Sequence, residues 1–419
     1  MQAIKEKIKD QLFLAPSPAV SRILEKIFNY AAAEEIDEII FESVGEKGLV
    51  KFYDAGEDKG SLNFSETTKN LVFQALKKLA GMKGCEKNER GEFKKECIGT
   101  KILFSVTSYL FSHSEKIVIN LRRDKFEVLD VASLGLEKSI SGRVKEILEK
   151  SQGLVLVVGP FNSGKTSTLY SFVNHVNSPD LNVTTFEREI SYDMPTVNQS
   201  RLGDKPGFRP LSLSSIVKQD PDVVMIDEIV DKDAALAALH LADHGYFVLA
   251  GVEGLNTASI LSSFQGLGVS LSLFSSSVKM VVNQRLVLKN CPKCLEKQKI
   301  GAELKKRLKT YFPKPELLAR LKDKKILAPE IESIEDMVFY RGQGCEACRQ
   351  KGVSGRIGIF EILIMNDEAK KLIKGGHFSR VNEEVFDQEG FSLVESAFIK
   401  AAAGIISPEE VLRIAEEKG

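Results

Sequence analysis

The chain has 419 residues, 43% of them hydrophobic, and its 58 Lys+Arg balance 58 Asp+Glu. That balance removes any general electrostatic pull toward nucleic acid or an anionic membrane. The length predicts roughly two to four domains with proper cores. Apolar runs such as 154–158 and 247–252 are far too short to span a bilayer, and the start Met1-Gln2-Ala3-Ile4-Lys5 does not read as a signal peptide, so a soluble cytoplasmic protein is expected.

Ser17-Pro18 predicts a helix start, and Val20, Ile23, Leu24, Ile27, Phe28 and Ala31 follow at helical spacing. Strands are expected over 36–41 and 49–53, around a turn at Gly45 and Gly48, then a helix over 67–80 and strands over 101–107 and 116–121. Residues 1–122 therefore read as a small α+β domain, and 123–137 as a charged, irregular linker. From 138 to 290 helices and strands alternate, as in an α/β nucleotide-binding core. A Lys/Glu-rich module bounded by cysteine pairs covers 291–350, and 351–419 ends the chain with a strand over 356–363 and helices. Cys85 and Cys97 stand alone and read as small core residues.

Residues 159–166 complete a G-x-x-x-x-G-K-[ST] phosphate loop: Gly159, Pro160, Phe161, Asn162, Ser163, Gly164, Lys165, Thr166, with Ser167 following. The apolar run 154–158 before it reads as a buried strand, and 167–176 after it as a helix. In that order backbone N–H groups turn inward around the phosphates of ATP, and the helix adds the positive end of its dipole. Lys165 neutralises phosphate charge and the Thr166 hydroxyl ligates Mg²⁺. Downstream, the apolar run in Asp220-Pro221-Asp222-Val223-Val224-Met225-Ile226-Asp227-Glu228 puts carboxylates at the end of a strand, where one can hold Mg²⁺ or polarise the attacking water.

Cys291-Pro292-Lys293-Cys294 and Cys345-Glu346-Ala347-Cys348 form two C-x-x-C knuckles, the donor set of a closed tetrahedral Zn²⁺ site. Two matched pairs argue against a redox pair or four free thiols, although the segment 295–344 between them is long for a compact finger. The histidines at 113, 175, 240, 244 and 377 lack ligand spacing with acidic partners. The cluster Lys305-Lys306-Arg307 and the run 322–325 read as solvated helix faces, so no nucleic-acid partner is expected.

With these motifs the chain resembles the type II secretion and type IV pilus assembly ATPases from about residue 20 onward. The resemblance is carried by Gly159–Tyr170, Gln219–Val224, Glu228 with Asp231, Gln284-Arg285-Leu286 ahead of the first knuckle, Gly344-Cys345, Gly355–Glu361, Gly390–Leu393 and Ala403–Arg413. It implies a PAS-like N-terminal domain, a RecA-like ATPase core, the tetracysteine module of the extension and secretion branch, and a C-terminal helical subdomain. It also implies a cytoplasmic hexameric ring docked on an inner-membrane platform protein, at the inner face of the cytoplasmic membrane.

Matched residue by residue, Lys165, Thr166 and Glu228 are kept, and Glu187 takes the place of a water-orienting glutamate. The following family aspartate is Arg188, the arginine of Gly-Glu-x-Arg-Asp is Val230, and the histidine of Thr-Leu-His-Thr-Asn is Glu253. A family arginine is Ser214, and an N-terminal-domain arginine falls on Asn120. Lys218 and Arg188 are candidate replacements. Two functions are therefore expected: a motor subunit with Glu187 and Glu228 catalytic, or a nucleotide-binding scaffold that hydrolyses little and shares a mixed ring with an active paralogue.

Overall fold

A computed structural model describes residues 18–45, 47–54, 57–82, 88–112, 114–123, 128–150, 152–202, 213–311, 315–323, 326–381 and 390–417. Ser17, Cys85, His113 and the end of the 322–325 run lie outside them. The chain forms two units, Met1–Glu127 and Val128–Gly419.

The first unit runs α1 (Pro18–Ala33), β1 (Glu38–Val44), β2 (Lys47–Asp54), β3 (Glu57–Phe64), α2 (Glu66–Leu79), β4 (Asn88–Cys97), β5 (Thr100–Leu110) and β6 (Glu115–Arg123). Its strands make one antiparallel sheet in the order β3-β2-β1-β6-β5-β4. The apolar stripe of α1 (Val20, Leu24, Ile27, Phe28, Ala31) is buried with Val72 and Leu76 of α2 against Phe41, Phe52 and Phe104. Ser65 caps α2 through an acceptor to Thr68 N at 3.4 Å. Cys97 is buried in this core.

The second unit continues with α3 (Lys138–Glu149), β7 (Gly153–Gly159), α4 (Lys165–Val176), β8 (Val183–Glu187), β9 (Asn198–Arg201), α5 (Leu213–Val217), β10 (Val223–Ile226), α6 (Lys232–Asp243), β11 (Phe247–Glu253), α7 (Thr257–Gly266), α8 (Leu271–Ser277) and β12 (Val278–Asn290). It ends with β13 (Leu295–Gln298), α9 (Ala302–Thr310), α10 (Pro315–Asp323), β14 (Phe339–Gly342), β15 (Val353–Ile364), α11 (Asp367–Lys374), α12 (Phe378–Arg380), α13 (Leu393–Ala402) and α14 (Pro408–Glu416).

Seven strands form one sheet ordered β15-β12-β7-β11-β10-β8-β9, parallel from β12 to β9 with β15 antiparallel on β12. Strand β7 is apolar without alternation because both faces of the sheet are covered: Leu154, Leu156 and Val158 pack into one core, Val155 and Val157 into the other. The mixed α/β class is therefore as the sequence implies. Parallel register puts the C-terminal ends of β7, β8, β10 and β11 on one edge, where ligands bind in such sheets. The segments 291–350 and 351–419 belong to the same unit, where Phe339, Phe398, Val411 and Leu412 share a core with Val287 of β12.

Candidate nucleotide site and cysteine cluster

At the end of β7 the chain leaves the sheet through Gly159, where an added Cβ would lie 2.3 Å from Ser163 Oγ and 2.8 Å from Gln284 O. Asn162 takes a left-handed φ of 61°, and Gly164 takes 88° as the N-cap of α4. These turns curl the loop onto itself over the helix N-terminus, whose first N–H groups have no intrahelical acceptor. Ser163 Oγ is buried without a hydrogen-bond partner. The cradle and the helix end suit an anion.

Lys165 Nζ donates to Gly159 O at 2.9 Å and Pro160 O at 3.0 Å, so the ammonium lies across the loop. Burial lowers its pKa, while Glu228, Glu253 and Asp227 pull it back up. Thr166 Oγ1 donates to Asp227 Oδ1 at 3.3 Å. A hydroxyl backed by a carboxylate beside the loop is a fitting donor set for Mg²⁺. Asp227, the first acid after the apolar run, is thus the partner of Thr166, a role the sequence reading left unassigned.

Adjacent parallel strands set the acidic edge. Ile226 pairs with Phe186, and Asp227 N donates to Phe186 O at 3.0 Å, so Glu228 and Arg188, each two residues beyond that pair, leave the same sheet edge. Arg188 Nη1 is 3.7 Å from Glu228 Oε2. Glu187 is fully buried instead. Its carboxylate accepts from Thr185 Oγ1 at 2.6 Å, from Gln199 Nε2 at 3.2 Å and from the Tyr170 hydroxyl. Burial raises the Tyr170 pKa, and the bond to Glu187 raises it further. Tyr170 OH also accepts from Ser191 N and Gln199 Nε2, both at 3.1 Å.

Strand β12 supports the loop from its other side. Buried Gln284 donates to Ser163 O at 2.7 Å. Arg285 donates to Leu255 O at 2.7 Å, Gln284 O at 2.9 Å, Asn283 Oδ1 at 3.2 Å and Glu417 at 3.3 Å. A polar triplet interrupting an apolar strand is the signal that marks these residues in the sequence. Glu253 ends β11 opposite Gly159 and is exposed. Lys218 follows α5 and precedes β10, at the opposite edge of the sheet from the loop.

The four knuckle cysteines converge, with Cys291–Cys345 at 3.9 Å, Cys294–Cys348 at 3.8 Å and Cys345–Cys348 at 3.7 Å between sulfurs. All four sulfurs lie within 4.8 Å of one another. Tetrahedral Zn–S bonds of about 2.3 Å require sulfur separations of about 3.8 Å, so the set fits zinc. The strand pair β13–β14 folds the intervening segment back on itself, with Leu295 opposite Gly342. Burial opposes ionisation of Cys348, yet N–H donors from Cys345 and Gly352 outweigh it and lower the thiol to about 6. Burial pushes the Cys294 thiol up, and a bound cation would deprotonate a coordinating thiol. His240 and His244 instead share a backbone contact, His244 Nδ1 lying 2.6 Å from His240 O.

No helix among the described residues is long and apolar enough to cross a membrane. The family described as Type II/IV secretion system protein matches residues 15–413. The type IV pilus assembly ATPase PilB of Thermus thermophilus is 29% identical over 349 residues, covering 82% of this chain and 37% of its own length. Type II secretion system protein E of Aeromonas hydrophila is 27% identical over 401 residues, covering 95% of this chain and 76% of its own. The ATPase DotB of Legionella pneumophila superposes with a TM-score of 0.62 at 14% identity, covering 96% of each chain. The pilus retraction motor PilT with bound ADP gives 0.59 at 18%, covering 93% of this chain and 96% of its own, and at such identities the likeness establishes the fold alone. A matching family over nearly the whole chain, the shared fold and an intact phosphate loop lead to one conclusion: the chain belongs to the type II/IV secretion system protein family.

Proposed function

We propose that the chain is a cytoplasmic ATP-binding motor subunit that hydrolyses Mg-ATP for a type IV pilus assembly or type II secretion machine. It works in a ring, six copies or mixed with a paralogue, and moves an inner-membrane platform protein. The observation that carries this reading is the Thr166–Asp227 contact beside the phosphate loop, with Glu228 next in the chain. Residues 159–167 bind the phosphates through backbone N–H groups, and Lys165 leaves its loop carbonyls for them. Thr166 and Asp227 hold Mg²⁺, which neutralises phosphate charge when bound.

Glu228 polarises the attacking water. Glu187, buried with its oxygens taken by Tyr170, Thr185 and Gln199, fixes the end of β8 and does not meet the water itself. Cys291, Cys294, Cys345 and Cys348 hold a structural Zn²⁺ with no position open for chemistry.

The test is steady-state Mg-ATP hydrolysis by the zinc-loaded chain, with Lys165→Ala and Glu228→Gln alongside. Turnover well above both variants supports a motor. Nucleotide binding with no turnover above the variants would leave the scaffold reading in its place.

A further inference from the structure

Among the described residues, the phosphate site is short of cations. Asp227 touches Thr166, Glu253 ends β11 opposite Gly159, and Glu228 follows Asp227, so three carboxylates stand at the edge where the phosphate charges must also sit. A phosphoryl-transfer transition state needs positive charge at the leaving and equatorial oxygens. The described cations nearby are not equivalent. Arg285 is buried and held by Leu255 O, Gln284 O, Asn283 and Glu417. Lys218 lies at the far edge of the sheet.

Arg188 differs from both. It leaves the same sheet edge as the phosphate loop, its side chain is 56% exposed, and its ion pair with Glu228 is a long 3.7 Å approach. Such an exposed pair holds only weakly, so the guanidinium is available to a stronger anion.

We infer that Arg188 is a catalytic residue that serves the terminal phosphate from within its own subunit. This rests on the hydrolytic reading above. With Mg-ATP bound, Arg188 exchanges Glu228 for the terminal phosphate oxygens, because a guanidinium fork matches phosphate bidentately. The exchange also releases Glu228 to orient water. The water oxygen then bonds to the terminal phosphorus as the bridging P–O bond breaks, its electron pair leaving on ADP. The proton of the water passes to Glu228 and on to phosphate.

The experiment compares wild type, Arg188→Ala, Arg188→Lys and Lys165→Ala in the zinc-loaded full chain. It reads kcat, KM and the affinity for Mg-ADP with and without aluminium fluoride. Arg188→Ala should lower kcat by about 10²-fold or more while Mg-ADP affinity stays nearly unchanged. Arg188→Lys, with charge but no fork, should recover part of that loss. The extra affinity conferred by aluminium fluoride should vanish in Arg188→Ala. Hydrolysis by Arg188→Ala at or above the wild-type rate overturns the inference, since the pair would then only restrain Glu228. Wild type no faster than Lys165→Ala removes the hydrolytic reading, and the fluoride complex then decides alone. If fluoride tightens wild type but not Arg188→Ala, the placement of Arg188 at the terminal phosphate stands without its catalytic role; if the two bind alike, both fall.

Discussion

Glu187 is a carboxylate held in the interior by neutral donors. The hydroxyls of Tyr170 and Thr185 and the amide of Gln199 replace the water it loses. Tyr170→Phe keeps the ring and its contact with Tyr192 but deletes one donor. The expected cost is about 1–3 kcal/mol, read as a lower urea midpoint, with Mg-ADP affinity largely kept. At this scale the phosphate loop and the cysteine pairs are legible in the sequence because their residues are consecutive and their spacing is the chemistry. Three other features are not. The Arg188–Glu228 pair follows from the register of β8 on β10, and the Gln284 support of Ser163 from β12 passing beside the loop. The engagement of Glu187 needs Gln199 from the edge strand β9. Each depends on residues far apart in the chain meeting in the sheet.

Elements are fixed to one another by polar anchors as well as by packing. Lys400 of α13 meets Glu137, the N-cap residue of α3, at 2.6 Å, each only 4% exposed. Ser396 joins the pair and also accepts from Phe360 N of β15 at 3.3 Å. Lys400→Met leaves a buried carboxylate without its cation, so a loss of about 3–5 kcal/mol is expected. The double change Lys400→Met with Glu137→Leu should recover most of it, and thermal melts of the three proteins check this. Cys345→Ser, or chelation of zinc, should expose the 291–350 segment to proteolysis, while one zinc per chain is expected in the intact protein. Zinc still bound after Cys345→Ser would contradict the four-sulfur site. Helices with apolar stripes are legible from periodicity, and the buried strands β7 and β10 from unbroken apolar runs. Strands β3 and β4 are not, because they lie at the two edges of their sheet and β4 is charged and mostly exposed along Asn88–Cys97. Backbone pairing with β2 and β5 makes them strands, and no apolar alternation announces it.

On the scale of the whole chain, two units have separate cores, and the described phosphate site lies in Val128–Gly419. If Arg188 completes that site in cis, the hydrolysis rate per chain should stay flat as the protein is diluted through ring dissociation. A steep fall on dilution would show that a neighbouring copy supplies the cation instead. Beneath both outcomes lies the claim that residues 159–167 bind a magnesium nucleotide. Calorimetric titration of the zinc-loaded chain with Mg-ADP tests it most directly, comparing wild type with Lys165→Ala and with magnesium removed. The account predicts one nucleotide per chain, with affinity falling about 10–100-fold in Lys165→Ala and falling again without magnesium. Binding of equal strength in all three conditions would contradict it.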